Sequence, residues 1–110
     1  MELILDLRDH IGSTPEKFYK STLFENKNLL LGLNCLDPGQ RQGAHLHEDQ
    51  DKFYFVVEGE AEFELAGESH RVDAGKVVLA PANVEHGVTN RGDRQLVLLV
   101  GIAPWPPAPE

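Results

Sequence analysis

A single cysteine, Cys35, is all the thiol chemistry the chain has, so no internal disulfide can form. That usage fits a reducing cytoplasm. The apolar setting "LLLGLNCLDPG" reads Cys35 as a small buried side chain rather than a nucleophile. No apolar run approaches the ~20 residues of a membrane span. The charged opening "MELILDLRDH" does not read as a signal peptide. Basic residues are few and scattered, 10 Lys and Arg against 18 acids for a formal charge of -8. With no basic stripe, neither nucleic acid nor an anionic membrane is expected as a partner. Helical periodicity is almost absent as well.

What is present is β-patterning. Short β-rich runs alternate with turn residues at intervals of about ten residues, the signature of an all-β sandwich or barrel. Strands are expected at 2–7, 17–25, 29–36, 44–47, 52–58, 61–65, 69–72, 76–81 and 94–102, with 82–90 as a further extended segment. "DPG" (37–39), "GE" (59–60), "AGE" (66–68), "DAG" (73–75) and "RGD" (91–93) supply the turns. In a cysteine-poor chain the "RGD" reads as a hairpin turn, not an adhesion motif. The 110 residues suit a single domain over 1–103, followed by a proline-rich tail over 104–110. Trp105 in that tail is expected to dock on the barrel or on a second subunit.

Two histidines, His45 and His47, stand two apart in "AHLH". Residues two apart in a strand share a face, so both imidazoles project together. Neutral imidazole suits divalent zinc, copper, iron and nickel. A third, His86, follows a glycine turn, an apolar strand and a proline. Three imidazoles on one side of an ion leave its remaining positions open, as catalytic sites require.

These residues resemble the cupin family. Its first motif is a glycine, five residues, H-x-H, three or four residues, a glutamate, six residues and a glycine. Here it reads Gly39, "QRQGA", His45, Leu46, His47 and on to Gly59. Its second motif reads Gly75, "KVVLA", Pro81, Ala82, Asn83, "VE", His86, "GVT", Asn90. Asn83 stands where the family has glycine, and asparagine also tolerates the left-handed backbone that glycine provides. The resemblance implies a double-stranded β-helix, a jelly-roll barrel with the site in its mouth. It also implies a divalent metal (iron, manganese, nickel or zinc) on His45, His47 and His86, and a homodimer.

The glutamate slot is the departure. Counting back from Gly59 puts Lys52 there, whereas counting forward from His47 gives Asp51. A one-residue shift reverses the face of a strand, so both cannot point inward. The regular run "KFYFVVE" favours Lys52, and Asp51 reaches inward only across a bulge. Lys52 is then an acid/base or an anchor for an anionic substrate, or it turns away, or it takes the place of the metal. Tyr54 and Val56 share the Lys52 face, with Tyr54 a second candidate at the site; Phe53, Phe55 and Val57 take the other face. Gln40, Arg41 and Gln42 are expected in a loop near the mouth, and His10 and His70 at the surface. Two functions are compatible with this pattern. One is a metal-dependent enzyme on a small organic substrate, dioxygenase-like or else an isomerase or lyase. The other is a non-catalytic module that binds a sugar or organic acid.

Overall fold

The computed structural model describes residues 2–107. Among the described residues, nine antiparallel strands form two sheets: β1 Tyr19–Glu25, β2 Leu30–Leu36, β3 Arg41–His45, β4 Asp51–Glu58, β5 Glu60–Leu65, β6 Glu68–Asp73, β7 Val77–Ala80, β8 His86–Thr89 and β9 Leu96–Ala103. One sheet has the order β1-β2-β9-β4-β7 and the other β3-β8-β5-β6. This is the expected all-β jelly roll. No helix among the described residues is long and apolar enough to cross a membrane.

Strand alternation explains how the two sheets meet. Tyr54 and Val56 from β4, Ala61 and Phe63 from β5, Val88 from β8, and Leu96, Leu98 and Val100 from β9 all point inward and form one core. Each fully buried aliphatic or aromatic side chain there contributes roughly 1.5–3 kcal/mol of hydrophobic stabilisation. A second, smaller cluster lies on the opposite face of the larger sheet. Leu33, buried Cys35 and Val97 are covered there by Leu7 and Ile11.

The expected opening strand over 2–7 does not form. Residues Leu7–His10 make a 3-10 helix instead, and the Asp6 side chain accepts from the Arg8 backbone N–H at 3.0 Å. Asp6 is thus a helix cap, and the apolar Leu7 and Ile11, four apart, close over the second cluster instead of alternating. The "RGD" segment turns, but it joins β8 of one sheet to β9 of the other, so it is a crossover and not a hairpin. Buried Asn90 holds it: its amide donates to the carbonyls of Leu36 (2.8 Å) and Arg94 (2.9 Å), and its oxygen accepts from Gly92 N–H (2.9 Å). Trp105 docks on the barrel through its indole N–H, which donates to the Glu25 carboxylate at 2.9 Å.

Turn chemistry follows the motif glycines. Gly39, Gly59 and Gly75 all have left-handed φ, and so does Asn83 at 69°. Gly59 is doubly constrained, because a Cβ there would lie 2.7 Å from the Gln95 carbonyl oxygen. Gly67 has the same φ of 84° with nothing within 4 Å. Gly59→Ala is therefore expected to destabilise by roughly 2–3 kcal/mol, and Gly67→Ala by only about 1 kcal/mol. Urea denaturation of the two variants beside the parent checks this; equal losses would remove the steric part of the argument.

Candidate metal centre

The site begins with the pairing of β3 and β8. Gln42 lies opposite Val88, and His45 opposite His86, with a register shift between the two pairs. Regular pairing would put Ala44 opposite His86, so β3 carries one extra residue, a bulge at Gly43–Ala44. Gly87 makes room for it, since a Cβ there would meet the Ala44 N at 2.9 Å. The bulge also corrects an expectation. Arg41 and Gln42 belong to β3 and not to a loop, and only Gln40 precedes the strand.

His47 lies beyond the end of β3, so the two histidines do not sit on one regular strand. Their rings nevertheless converge. The backbone carbonyl of His47 accepts from Asn83 N–H at 2.7 Å, which ties it to the turn before β8. Ring centroids stand 4.9 Å apart for His45–His47, 4.3 Å for His45–His86 and 5.7 Å for His47–His86. One ligand nitrogen from each of the three lies within 4.8 Å of the others. Two nitrogens bonded to one ion at roughly 2.1 Å can stand up to about 4.2 Å apart, so the spread fits a shared ligand to within an ångström.

Hydrogen bonding orients the rings. Nδ1 of His45 meets the Gly43 carbonyl at 2.9 Å, and Nδ1 of His86 meets the Val84 carbonyl at 3.0 Å. A carbonyl only accepts, so each Nδ1 carries the proton and each Nε2 keeps its lone pair in the neutral ring. His86 is 1% exposed, and its Nε2 is buried with no hydrogen-bond partner. A buried unsatisfied acceptor is costly and calls for a reason. Burial is the main cause that pushes the His86 pKa down to about 4, with the His45, Lys52 and His47 charges adding to it against the Val84 carbonyl. Burial, then His45 and Lys52, likewise lower His47, against an opposing Asp49. Both rings are held neutral, the form that binds metal.

On β4 the alternation is regular: Lys52, Tyr54 and Val56 are buried, while Asp51 and Phe53 are exposed. Asp51 therefore points away from the histidines. Its carboxylate accepts from Ala82 N–H at 2.8 Å and braces the turn between β7 and β8. Lys52 is 6% exposed and makes no ion pair among the described residues. Its Nζ lies 4.6 Å from the Tyr54 ring centroid, a cation–π contact that offsets part of the desolvation. Burial, then the Lys20 charge, push its pKa down to about 8. Tyr54 lies beside His86, with ring centroids 6.1 Å apart. Its hydroxyl donates to Gln42 Oε1 at 2.7 Å, and burial raises the phenol above its ordinary value. His70 stands near Glu68 on β6, and His10 ends the 3-10 helix; neither joins the cluster. Sequence reasoning missed Asn34 and Lys20, which face the same cavity as Lys52, and placed Gln42 in a loop. The signal for Asn34 was the inward register of β2, where it lies opposite the core residue Leu98; Lys20 is exposed and carried no such signal.

This fold and histidine cluster define a double-stranded β-helix protein with a candidate metal centre. The family model described as the cupin domain matches residues 32–102, well over half the chain, and the protein belongs to the cupin family. It is 32% identical over 79 residues to the polyketide synthase CurC of Streptomyces cyaneus, covering 72% of this chain and 51% of that protein. It is 31% identical over 77 residues to an oxalate-binding protein of Thermotoga maritima, covering 70% of this chain and 64% of that one. The chain thus spans about half to two thirds of the length of these curated relatives. Among solved structures, TT1209 from Thermus thermophilus is 38% identical with a TM-score of 0.88, over 92% of this chain and 96% of that chain. A double-stranded β-helix protein of Klebsiella pneumoniae shares the fold at 21% identity and a TM-score of 0.91, over 98% and 95%.

The lowered Lys52 pKa has a consequence for stability. Between pH of about 8 and the ordinary lysine value of 10.5 the unfolded chain binds more protons at this group than the native chain. Stability from Lys52 therefore rises with pH across that window, and its cost is constant below it. Lys52→Met removes the buried charge. The variant is expected to exceed the parent at pH 8 by a margin that shrinks by roughly 2–3 kcal/mol at pH 10.5. Paired urea titrations at the two pH values measure it; a constant margin would mean that Lys52 is not desolvated.

Proposed function

We propose that this cupin holds one divalent ion, iron, manganese, nickel or zinc, on His45, His47 and His86, and acts on a small organic acid. The observation that carries this reading is the buried, unpartnered Nε2 of His86, in a cluster whose ligand nitrogens lie within 4.8 Å of one another. The relative that binds oxalate supports a small acid as the ligand class. A bound ion supplies Lewis acidity or a site for dioxygen. We favour the second, a dioxygenase-like oxidoreductase, with isomerase or lyase chemistry as the other enzymatic form.

The chain's own residues divide the work. The carbonyls of Gly43 and Val84 fix the ring tautomers of His45 and His86. Lys52 supplies positive charge where the family motif has an acid, and it attracts an anionic group. At a pKa of about 8 it also exchanges its proton near neutral pH, which suits an acid/base. Tyr54 keeps its proton and orients Gln42 through their hydrogen bond, rather than passing a proton to substrate.

A second reading is a non-catalytic module that binds an organic acid or sugar, which the name of the oxalate-binding relative favours. Oxygen uptake by the metal-loaded protein with a small acid separates the two: turnover supports the enzyme, and saturable binding without uptake supports the module. The cytoplasmic location and the homodimer belong to this proposal too. For the dimer, the outer face of the larger sheet exposes Phe53, Val77 and Leu79. Sedimentation equilibrium at twice the chain mass would support it, and a monomer would remove it.

Elemental analysis of the untagged protein is the test of the metal. Near-stoichiometric metal is expected in the parent and its loss in His86→Ala; full occupancy in the variant would overturn the three-histidine site. Lys52→Glu is expected to add a ligand and tighten metal binding by about tenfold or more, and unchanged affinity would show that position 52 does not reach the ion.

A further inference from the structure

Between β1, β2, β9 and the start of β4 lies a cavity of about 80 Å³. Its polar lining comes from Lys20, Ser21, Thr22, Asn34, Gln42 and Lys52, and its apolar lining from β2 and β9. The cross-strand register explains the gathering. Lys20 lies opposite Asn34, Thr22 opposite Gly32, and Lys52 opposite Ile102, so buried Asn34 and Lys52 form the floor of the cavity while exposed Lys20 and Thr22 stand at its rim. No aspartate or glutamate lines the cavity.

Hydrogen-bonding capacity there is skewed toward donors. Gln42 Oε1 is taken by the Tyr54 hydroxyl, which leaves its amide N–H groups to serve the cavity. Lys52 and Asn34 are 6% and 7% exposed, and among the described residues neither side chain has a hydrogen-bond or ion-pair partner, so their polar atoms keep only a small contact with solvent. A buried ammonium without a counter-charge costs several kcal/mol. In a chain with net charge -8, acids were available to neutralise it, yet none stands here. A site lined by the buried Lys52 and Asn34 and by the Gln42 amide, with exposed Lys20 at its rim and no carboxylate, is complementary to a small anion. Its volume admits a carboxylate with little more than the carbon that bears it.

We propose that this cavity is a carboxylate subsite, in which the ammonium of Lys52, assisted by Lys20, Asn34 and Gln42, binds one acid group of the ligand. The Tyr54 ring links it to the histidines: Lys52 Nζ is 4.6 Å and the His86 ring 6.1 Å from that ring's centroid. A ligand that reaches both ends therefore carries two functional groups a few carbons apart. This second clause rests on the proposed metal function, whereas the carboxylate subsite does not.

Titration calorimetry with acetate, oxalate and succinate, and with inorganic phosphate as a second anion, tests the subsite in the parent, Lys52→Met and Lys20→Met. Metal content is measured on the same samples. Expected is saturable carboxylate binding in the parent. Lys52→Met should weaken it by about 30-fold or more, the loss that follows when one partner of a buried charge pair is truncated. Lys20→Met should weaken it less, and both variants should keep the parent's metal content. Three results overturn the subsite: equal carboxylate affinity in Lys52→Met, binding of phosphate but of no carboxylate, or no anion binding at all. Carboxylate binding that depends on Lys52 in a protein free of metal would keep the subsite and remove the metal function. Metal without carboxylate binding would do the reverse.

Discussion

The register of β4 is the constraint from which the barrel mouth follows. β4 is paired on both sides, with β7 through Lys52–Phe55 and with β9 along most of its length. Alternation then leaves one choice with two outcomes. In the observed one, Tyr54 and Val56 enter the core and Lys52 enters with them. A slip of one residue would bring in Asp51, Phe53 and Phe55 instead, break the Tyr54–Gln42 hydrogen bond and strip Ala82 of its acceptor. Burial of Tyr54 and Val56 outweighs the desolvation of one ammonium. Lys52 is inside because its neighbours two and four positions on are core residues.

Three separate devices then assemble the histidines. A bulge in β3, admitted by Gly87, sets His45 opposite His86 and keeps Gln42 within reach of Tyr54. The left-handed Asn83 turns the chain after β7 and donates to the His47 carbonyl. Asp51 braces the same turn through Ala82 N–H. Asp51 thus serves the site without facing it, because it stabilises the segment that delivers His86.

The sequence made the fold and the three histidines legible for different reasons. Glycine turns and period-two alternation are local signals, and they placed β2, β4, β5, β6, β7 and β9 to within a residue or two. The inward side of β4 was legible from its alternation over Lys52, Tyr54 and Val56, which comes before the bulge between Val56 and Glu58. The opening segment was misread because "ELILDL" contains alternating apolar residues, while the aspartate that caps the 3-10 helix carries no mark of strand or helix by itself. The β3 bulge was invisible because it depends on Gly87, which lies 44 positions after Gly43. Lys20 and Asn34 escaped notice, and Gln42 was expected in a loop near the mouth instead of in β3, for the same reason. Each is ordinary in its own strand, and they become a group only through pairing between strands far apart in sequence.

The charges of the site link its two halves. Burial holds the His86 ring neutral and disfavours charge on His47, and Lys52 stands in the slot where the family motif has an acid, so the three histidine ligands bring no negative charge to the site. On the proposed function, an ion and Lys52 repel each other beside the Tyr54 ring, at a separation where the interaction is screened only weakly by salt. A carboxylate on Lys52 cancels that repulsion. Metal and acid then favour each other's binding, and by linkage the factor is the same in both directions. Where a cupin with an acidic ligand neutralises its metal from within the chain, the proposed function would have this one leave the task to its ligand. On that proposal, metal affinity would rise when the acid is bound, and an organic anion would complete the charge balance of the site.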